Sequence, residues 1–260
     1  MTLTSKITPE AIAQLKNALP TMPDREKRHV LGRLKSYKTE KVKERGRTDF
    51  LSFIQHVYPG YMVGPHHEKL AQIFEDIASG MKKRVIVNIA PRHGKSEMIS
   101  YLAPAWYLGN YPHKKVIMSS HTADLAVNFG RRVRNLVSSD PYKDIFPNIE
   151  LQADSKSASR WGTNFNGEYF AIGVGGALAG RGADLFIIDD PHSEQEAMQG
   201  RPDVFLPAWE WFQSGPIQRL MPGGAIIVVM CMTGDTPVLM ADGTEKPLRD
   251  VRPDDAVATY

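Results

Sequence analysis

Four short runs of almost uninterrupted apolar residues punctuate the chain: Arg84–Ala90 (RVIVNIA), Lys115–Ser119 (KVIMS), Leu185–Ile188 (LFII) and Ala225–Met230 (AIIVVM). Runs of this length without polar alternation predict strands buried on both faces of a parallel sheet. Between the second and third, Ala123–Ser138 reads as an amphipathic helix. Leu125, Phe129, Val133, Leu136 and Val137 share one face, with Arg131, Arg132 and Arg134 elsewhere. Strands alternating with helices predict an open α/β domain over residues 49–230.

The flanks have other textures. Pro9–Leu19 and Asp24–Arg45 read as two helices divided by Leu19-Pro20-Thr21-Met22-Pro23. The second has a thin apolar stripe (Val30, Leu31, Leu34), which suits an exposed or lightly docked helix, so residues 1–48 form a helical basic extension. Beyond Met230, short alternating segments are broken by Gly-Asp, Asp-Gly and Pro-Asp-Asp. That is hairpin chemistry: Val238–Met240, an Ala-Asp-Gly-Thr turn, then Lys246–Leu248. Residues 231–260 are therefore a separate β-rich unit.

Composition narrows the classes. The 260 residues are 42% apolar, 23% charged and 9% aromatic, which excludes a disordered chain, a collagen and a coiled coil. One cysteine excludes a disulfide scaffold and a Cys-rich zinc module. His113 and His121 lack metal-like partners at suitable spacing. The longest apolar run, Ala225–Met232, is far shorter than a bilayer span, and MTLTSKITPE carries no secretory pattern, so the expectation is a cytosolic protein. The net charge of +3 hides an asymmetry: Arg25–Arg47 holds ten Lys/Arg against three Glu, leaving 22 basic and 26 acidic residues elsewhere. A polyanion partner and a solvated helical face both fit that segment.

The candidate chemistry begins after the first strand. Ala90-Pro91-Arg92-His93-Gly94-Lys95-Ser96 joins a strand to a helical stretch, Glu97–Leu108. In such a loop the backbone N–H groups and the helix start point at phosphates. Gly94 permits close approach, Lys95 neutralises phosphate charge, and Ser96 offers a hydroxyl to Mg²⁺. The usual pattern places glycine five residues before Gly94, where this chain has Ile89. Arg92 is an extra cation that can meet γ-phosphate or a surface acid.

Leu185-Phe186-Ile187-Ile188-Asp189-Asp190 ends a strand in two carboxylates. Beside a phosphate loop, Asp189 is the metal-side acid and Asp190 the group that orients or deprotonates water. By itself the pair also reads as a strand cap opening a turn at Pro191. Three lesser features carry two readings each. The glycine-dense loop Gly173–Gly182 is either mobile and phosphate- or DNA-directed, with Arg181 reaching a neighbour's nucleotide, or simply flexible. Gly64-Pro65-His66-His67-Glu68 either reads adenine, through His66, or opens a helix with exposed histidines. Trp209, Trp211 and Phe212 read as core or interface aromatics.

Taken in order, PRHGKSE, SSHTADLAVNFGRRVRNLV, AIGVGGALAGRGADLFIIDDPHSEQEA and RLMPGGAIIVVM resemble the ATPase part of the large terminase subunit of tailed bacteriophages, over about residues 50–230. That family resembles additional-strand P-loop ATPases. The resemblance implies ATP and Mg²⁺ as cofactors, with Pro91, Arg92, His93, Gly94, Lys95, Ser96 and Glu97 around the nucleotide, Ser96 and Asp189 on the metal, and Lys95, Arg92 and Asp190 at the chemistry. The family's phosphate loop often lacks the first glycine and has arginine where Arg92 stands; many members have Glu where Asp190 stands. The resemblance further implies double-stranded DNA, a portal and procapsid, a small terminase subunit and a homo-oligomeric ring as partners, with no membrane, in the cytoplasm of an infected bacterial host. A helicase-like P-loop ATPase is the alternative.

The family's nuclease half does not follow Met230. Cys231-Met232-Thr233-Gly234-Asp235-Thr236-Pro237-Val238, then Ala241-Asp242-Gly243-Thr244, Leu248-Arg249-Asp250 and Asp255-Ala256-Val257, resemble the first block of an intein, of Hint type. The resemblance implies that Cys231, the only cysteine, is the splicing nucleophile attacking the Met230 carbonyl. The later intein blocks are absent. The expected partner is a C-terminal intein–terminase fragment carrying the nuclease; a splicing-incompetent truncated product is the other reading.

Overall fold

The computed structural model describes residue 14 and residues 17–153, 157–193, 195, 202–231, 235–252 and 255–256. Most of the expected helix Pro9–Leu19 lies outside them. The next helix is present and longer than expected: α1 spans Asp24–Thr48 and buries only Leu34 and Gly46. Its last turns are docked. Trp106 Nε1 donates to the Gly46 carbonyl at 2.9 Å and Arg47 Nε to the Ile145 carbonyl at 2.7 Å. Gly46 permits this close packing, since a Cβ there would sit 2.7 Å from Ile145 Cδ1 and push that side chain aside.

After α1 come α2 (Phe50–Val57) and α3 (Pro65–Ala78). Asp49 caps α2 through the Ser52 N–H at 2.6 Å. Strand β1 (Arg84–Asn88) leads through the phosphate loop into a π-helical stretch, Glu97–Leu102, and α4 (Ala103–Asn110). The single helix expected over Glu97–Leu108 is thus two segments of different pitch. Then follow β2 (Lys115–Ser120), α5 (Ala123–Val137), α6 (Asp140–Ile145), β3 (Arg160–Gly162), β4 (Glu168–Gly173) and β5 (Ala183–Asp189). The chain continues through α7 (Pro202–Ser214) to β6 (Leu220–Met230).

The six strands form one sheet in the order β1-β6-β5-β2-β4-β3. All neighbours pair in parallel except β3, which is antiparallel to β4. The last strand, β6, lies between β1 and β5. Residues 220–224 form an irregularity that shifts the register against β5, with Gly223 at φ +83°.

Two-sided burial explains the unbroken apolar runs. Leu185 and Ile187 of β5 and Ile227 and Val229 of β6 face the larger core, beneath α2–α6. Phe186, Ile188 and Ile226 face a smaller one, against Trp211 and Phe212 of α7. β1 departs from the expectation: Val87 is buried, but Ile86 is 70% exposed, because β1 is an edge strand covered on one face. Leu125 also departs, lying in the first turn of α5 at 40% exposure, while Val133, Leu136 and Val137 are buried as expected. Trp209 is likewise largely exposed. Phe50, Phe53, Phe74, Trp106, Tyr142 and Phe146 pack ring against ring in the larger core.

Beyond Met230 a second, two-stranded antiparallel sheet joins β7 (Pro237–Leu239) to β8 (Glu245–Pro247). Gly243 takes the left-handed position in the turn, at φ +83°. No helix of the described residues is long and apolar enough to cross a membrane.

Candidate active site

The C-terminal ends of β1, β6, β5 and β2 lie side by side, the usual ligand-binding edge of an open α/β sheet. The phosphate loop leaves β1 there. Gly94 holds φ +75°, and a Cβ at that position would come within 2.7 Å of His67 Nε2 and 3.1 Å of Tyr61 Oη. Only glycine fits. Arg92 also adopts a left-handed conformation, φ +63°, and lies exposed. Among the described residues no ion pair holds it.

Lys95 is buried and turned inward. Its Nζ donates to Asp190 Oδ2 at 2.7 Å, to Asp189 Oδ1 at 3.3 Å and to Ser96 Oγ at 3.3 Å. Asp189, the last residue of β5, is nearly inaccessible, and its Oδ2 accepts the Ser100 hydroxyl at 2.8 Å. Burial pushes the Asp189 carboxyl above the usual value, against the opposing effects of Lys95 and hydrogen bonds from Ser100 and Ser96. Burial also works against the Lys95 ammonium, but Asp189 and Asp190 outweigh it and raise its pKa. The site therefore carries a charged lysine between two carboxylates.

Asp190 is bent out of the strand at φ +43°. Its N–H donates to the Val229 carbonyl at 2.8 Å, and its Oδ1 accepts the Cys231 N–H at 3.1 Å. Cys231 thus sits at the end of β6 inside this network, where burial raises its thiol pKa and Lys95 opposes the rise. The carbonyl of Met230, just before it, accepts the Ile89 N–H at 3.3 Å.

Above the loop is a cavity of about 470 Å³, lined by Tyr58, Tyr61, His66, His67, Arg92 and Glu97 among others. His66 and His67 both place Nε2 on the His93 carbonyl, at 3.2 and 3.1 Å. His67 accepts the Gly64 N–H on Nδ1 at 3.0 Å, so its proton is on Nε2. Burial, then the neighbouring His66, lowers the His67 pKa. The histidine pair ties the start of α3 to the phosphate loop, and His67 is the better buried of the two. His93 turns its Nδ1 to the Pro91 carbonyl at 2.9 Å. Glu97 is paired with Arg132 of α5, whose guanidinium lies 4.1 Å from the Tyr101 ring centre.

The predicted residues Pro91, Arg92, His93, Gly94, Lys95, Ser96, Glu97, His66, Asp189, Asp190 and Cys231 therefore gather at one sheet end. Arg181 does not join them. It precedes β5 at the other end, donating to Glu168 Oε1 at 3.1 Å and lying 3.8 Å from the Phe170 ring centre. Ser100 and His121 belong to the site and carried no role in the sequence reading. The signal for Ser100 was a lone hydroxyl four residues after Ser96, within the otherwise apolar Met98–Leu102 stretch.

A strand-loop-helix turn facing a doubly acidic strand end, with a third strand between them, in a mostly parallel α/β sheet, is a geometry suited to a phosphate group. Residues 86–199, from β1 to just past the acidic pair, match the family described as terminase large subunit, T4-like-virus type, N-terminal. No curated protein matches the chain. Among solved structures, the HK97 bacteriophage large terminase is 16% identical at a TM-score of 0.48, covering 74% of this chain and 38% of its own. The ATPase domain of the Thermus phage P74-26 large terminase is 18% identical at a TM-score of 0.37, covering 58% and 60%. An arginine-to-alanine variant of that domain gives 18% and 0.39, covering 62% and 66%. The chain thus spans little more than a third of the HK97 protein.

Proposed function

We propose that this chain is the ATP-hydrolysing part of a phage DNA-packaging motor. The observation that carries the reading is the Lys95–Asp189–Asp190 contact at the mouth of the phosphate loop, inside the segment that matches the terminase family. Ser96 and Asp189, a hydroxyl and a carboxyl group that both meet Lys95 Nζ, suit a hard divalent cation. Mg²⁺ held there would neutralise charge on the transferred phosphate. The backbone N–H groups after Gly94 hold the phosphates. Lys95 exchanges the Asp190 oxygen for a phosphate oxygen, and Asp190 Oδ2 is then open to accept a proton from the attacking water. The cavity beneath Tyr61 and His66 is the place for the nucleoside.

Arg181 lies about seven strand residues from Asp189, roughly 20 Å, and so out of reach of its own nucleotide. This favours its service to the site of a neighbouring subunit in a ring. The exposed basic α1 supplies a surface for DNA or a small terminase subunit, and the portal and procapsid complete the assembly. Lys95→Ala should abolish ATP turnover; unchanged phosphate release would remove the reading.

A second reading concerns residues 231–260. The six-stranded sheet ends at Met230, and β7 and β8 pair with each other. That break favours an intein fragment whose Cys231 thiol attacks the Met230 carbonyl, giving a thioester and a free Cys231 amine, before trans-splicing to a nuclease-bearing part. Peptide mass spectrometry of the protein from infected cells tests it. A peptide joining Met230 to a residue not encoded here supports splicing; only peptides continuing through Cys231 oppose it.

A further inference from the structure

We infer that His121 is a positioning residue that holds Asp190 in its working conformation. The inference rests on the ATP-hydrolysis reading above and adds a residue to it. His121 follows β2, the strand beside β5. Its backbone N–H and its ring Nδ1 both meet the Asp190 carbonyl oxygen, at 3.1 and 3.2 Å. A carbonyl only accepts, so Nδ1 carries the proton.

Asp190 needs such support. At φ +43° it occupies the left-handed region, which disfavours residues with a side chain, Asp less than most. That conformation turns its carboxylate back over the ends of β5 and β6, onto the Cys231 N–H and Lys95. The Val229 carbonyl accepts its N–H, and His121 holds its carbonyl through two donors. The backbone donor survives any substitution at 121 except proline. The ring donor does not, and with it goes one of the two hydrogen bonds that hold the Asp190 carbonyl among the described residues.

Three variants of the full chain separate this role from simple packing. Asparagine places an amide N–H close to the Nδ1 position; glutamine reaches past it; alanine has no donor. In Mg²⁺-ATP turnover, His121→Ala and His121→Gln should lower kcat by about 5- to 10-fold with KM within about twofold, the scale of one lost hydrogen bond. His121→Asn should stay within about twofold of the parent. Asparagine falling with the other two, or all three matching the parent, would overturn the inference. Thermal unfolding confirms that each variant is folded. A second readout needs no activity. Nitrogen-15 spectra of the nucleotide-free protein, with the His121 ring identified by its loss in His121→Asn, should show a proton on Nδ1; a ring protonated on Nε2 alone would sink the inference. A parent chain without ATP turnover removes the hydrolysis reading alone, and the tautomer then decides whether the His121 contact exists.

Discussion

At the two ends of β5 the chain builds two clusters from the same ingredients, cations and carboxylates, to opposite effect. At the C-terminal end, Lys95 lies between Asp189 and Asp190, and the first two side chains are 5% and 3% exposed. At the N-terminal end, Glu168 is shared by Arg160 and Arg181 in contact with solvent. In the first cluster, removing Lys95 strands Asp189 in a poorly solvated place. In the second, water screens each pair, and such pairs contribute about 0–1 kcal/mol. Burial, rather than the kind of group, makes one cluster costly to disturb and leaves the other a holding contact for an arginine.

Substitutions can break or sharpen that contrast. Lys95→Ala should lower ATP turnover at least about 100-fold, measured as phosphate release. Lys95→Met should also melt below the parent at neutral pH, and the gap should narrow as pH falls. The sign follows from Asp189: burial raises its pKa, so once its partner is gone the folded state is relieved as that carboxyl takes a proton, and the relief is lost as pH rises.

Arg181→Ala should lower turnover of the assembled motor about 100-fold or more while leaving nucleotide binding by a single subunit unchanged. Mixing it with Lys95→Ala should restore measurable turnover, because one subunit keeps an intact pocket and its neighbour an intact arginine. Mixtures as inactive as the parts would return Arg181 to a local structural role. Removing residues 1–40 should flatten the dependence of DNA affinity on salt, since most of the exposed cations of α1 go with it.

Smaller effects are expected around the loop and the open cluster. The His67 pKa is lowered from 6.5, so its stabilising contribution is present above that value and lost as pH falls below it. Thermal melts across about pH 5–8 should show a loss in the parent that His67→Asn reduces. Glu168→Gln should change stability by about 0.5 kcal/mol or less and turnover by about twofold or less.

Much of the frame was legible because the chemistry is local. The LFII and AIIVVM runs announce strands buried on both faces, and Gly94-Lys95-Ser96 marks the loop that follows β1. β3 and β4 were not anticipated. β3 has only three residues, and β4 alternates buried with half-buried positions near the sheet's margin. Leu125 and Ile86 show the other limit: an apolar residue in a good pattern is buried only if some element covers it.

The linear order of residues determined β1, β2, β5 and β6, the loop after β1, the paired carboxyl groups at the end of β5 and the textural break after Met230, since each depends on neighbours along the chain. Only the tertiary structure decided that β6 inserts between β1 and β5, bringing Cys231 against Asp190, and that β2 ends where His121 meets the Asp190 carbonyl. It also decided that Arg181 lies a strand's length from the site. These are matters of which strands lie side by side, and strand order is set by packing across the sheet, which no local pattern encodes.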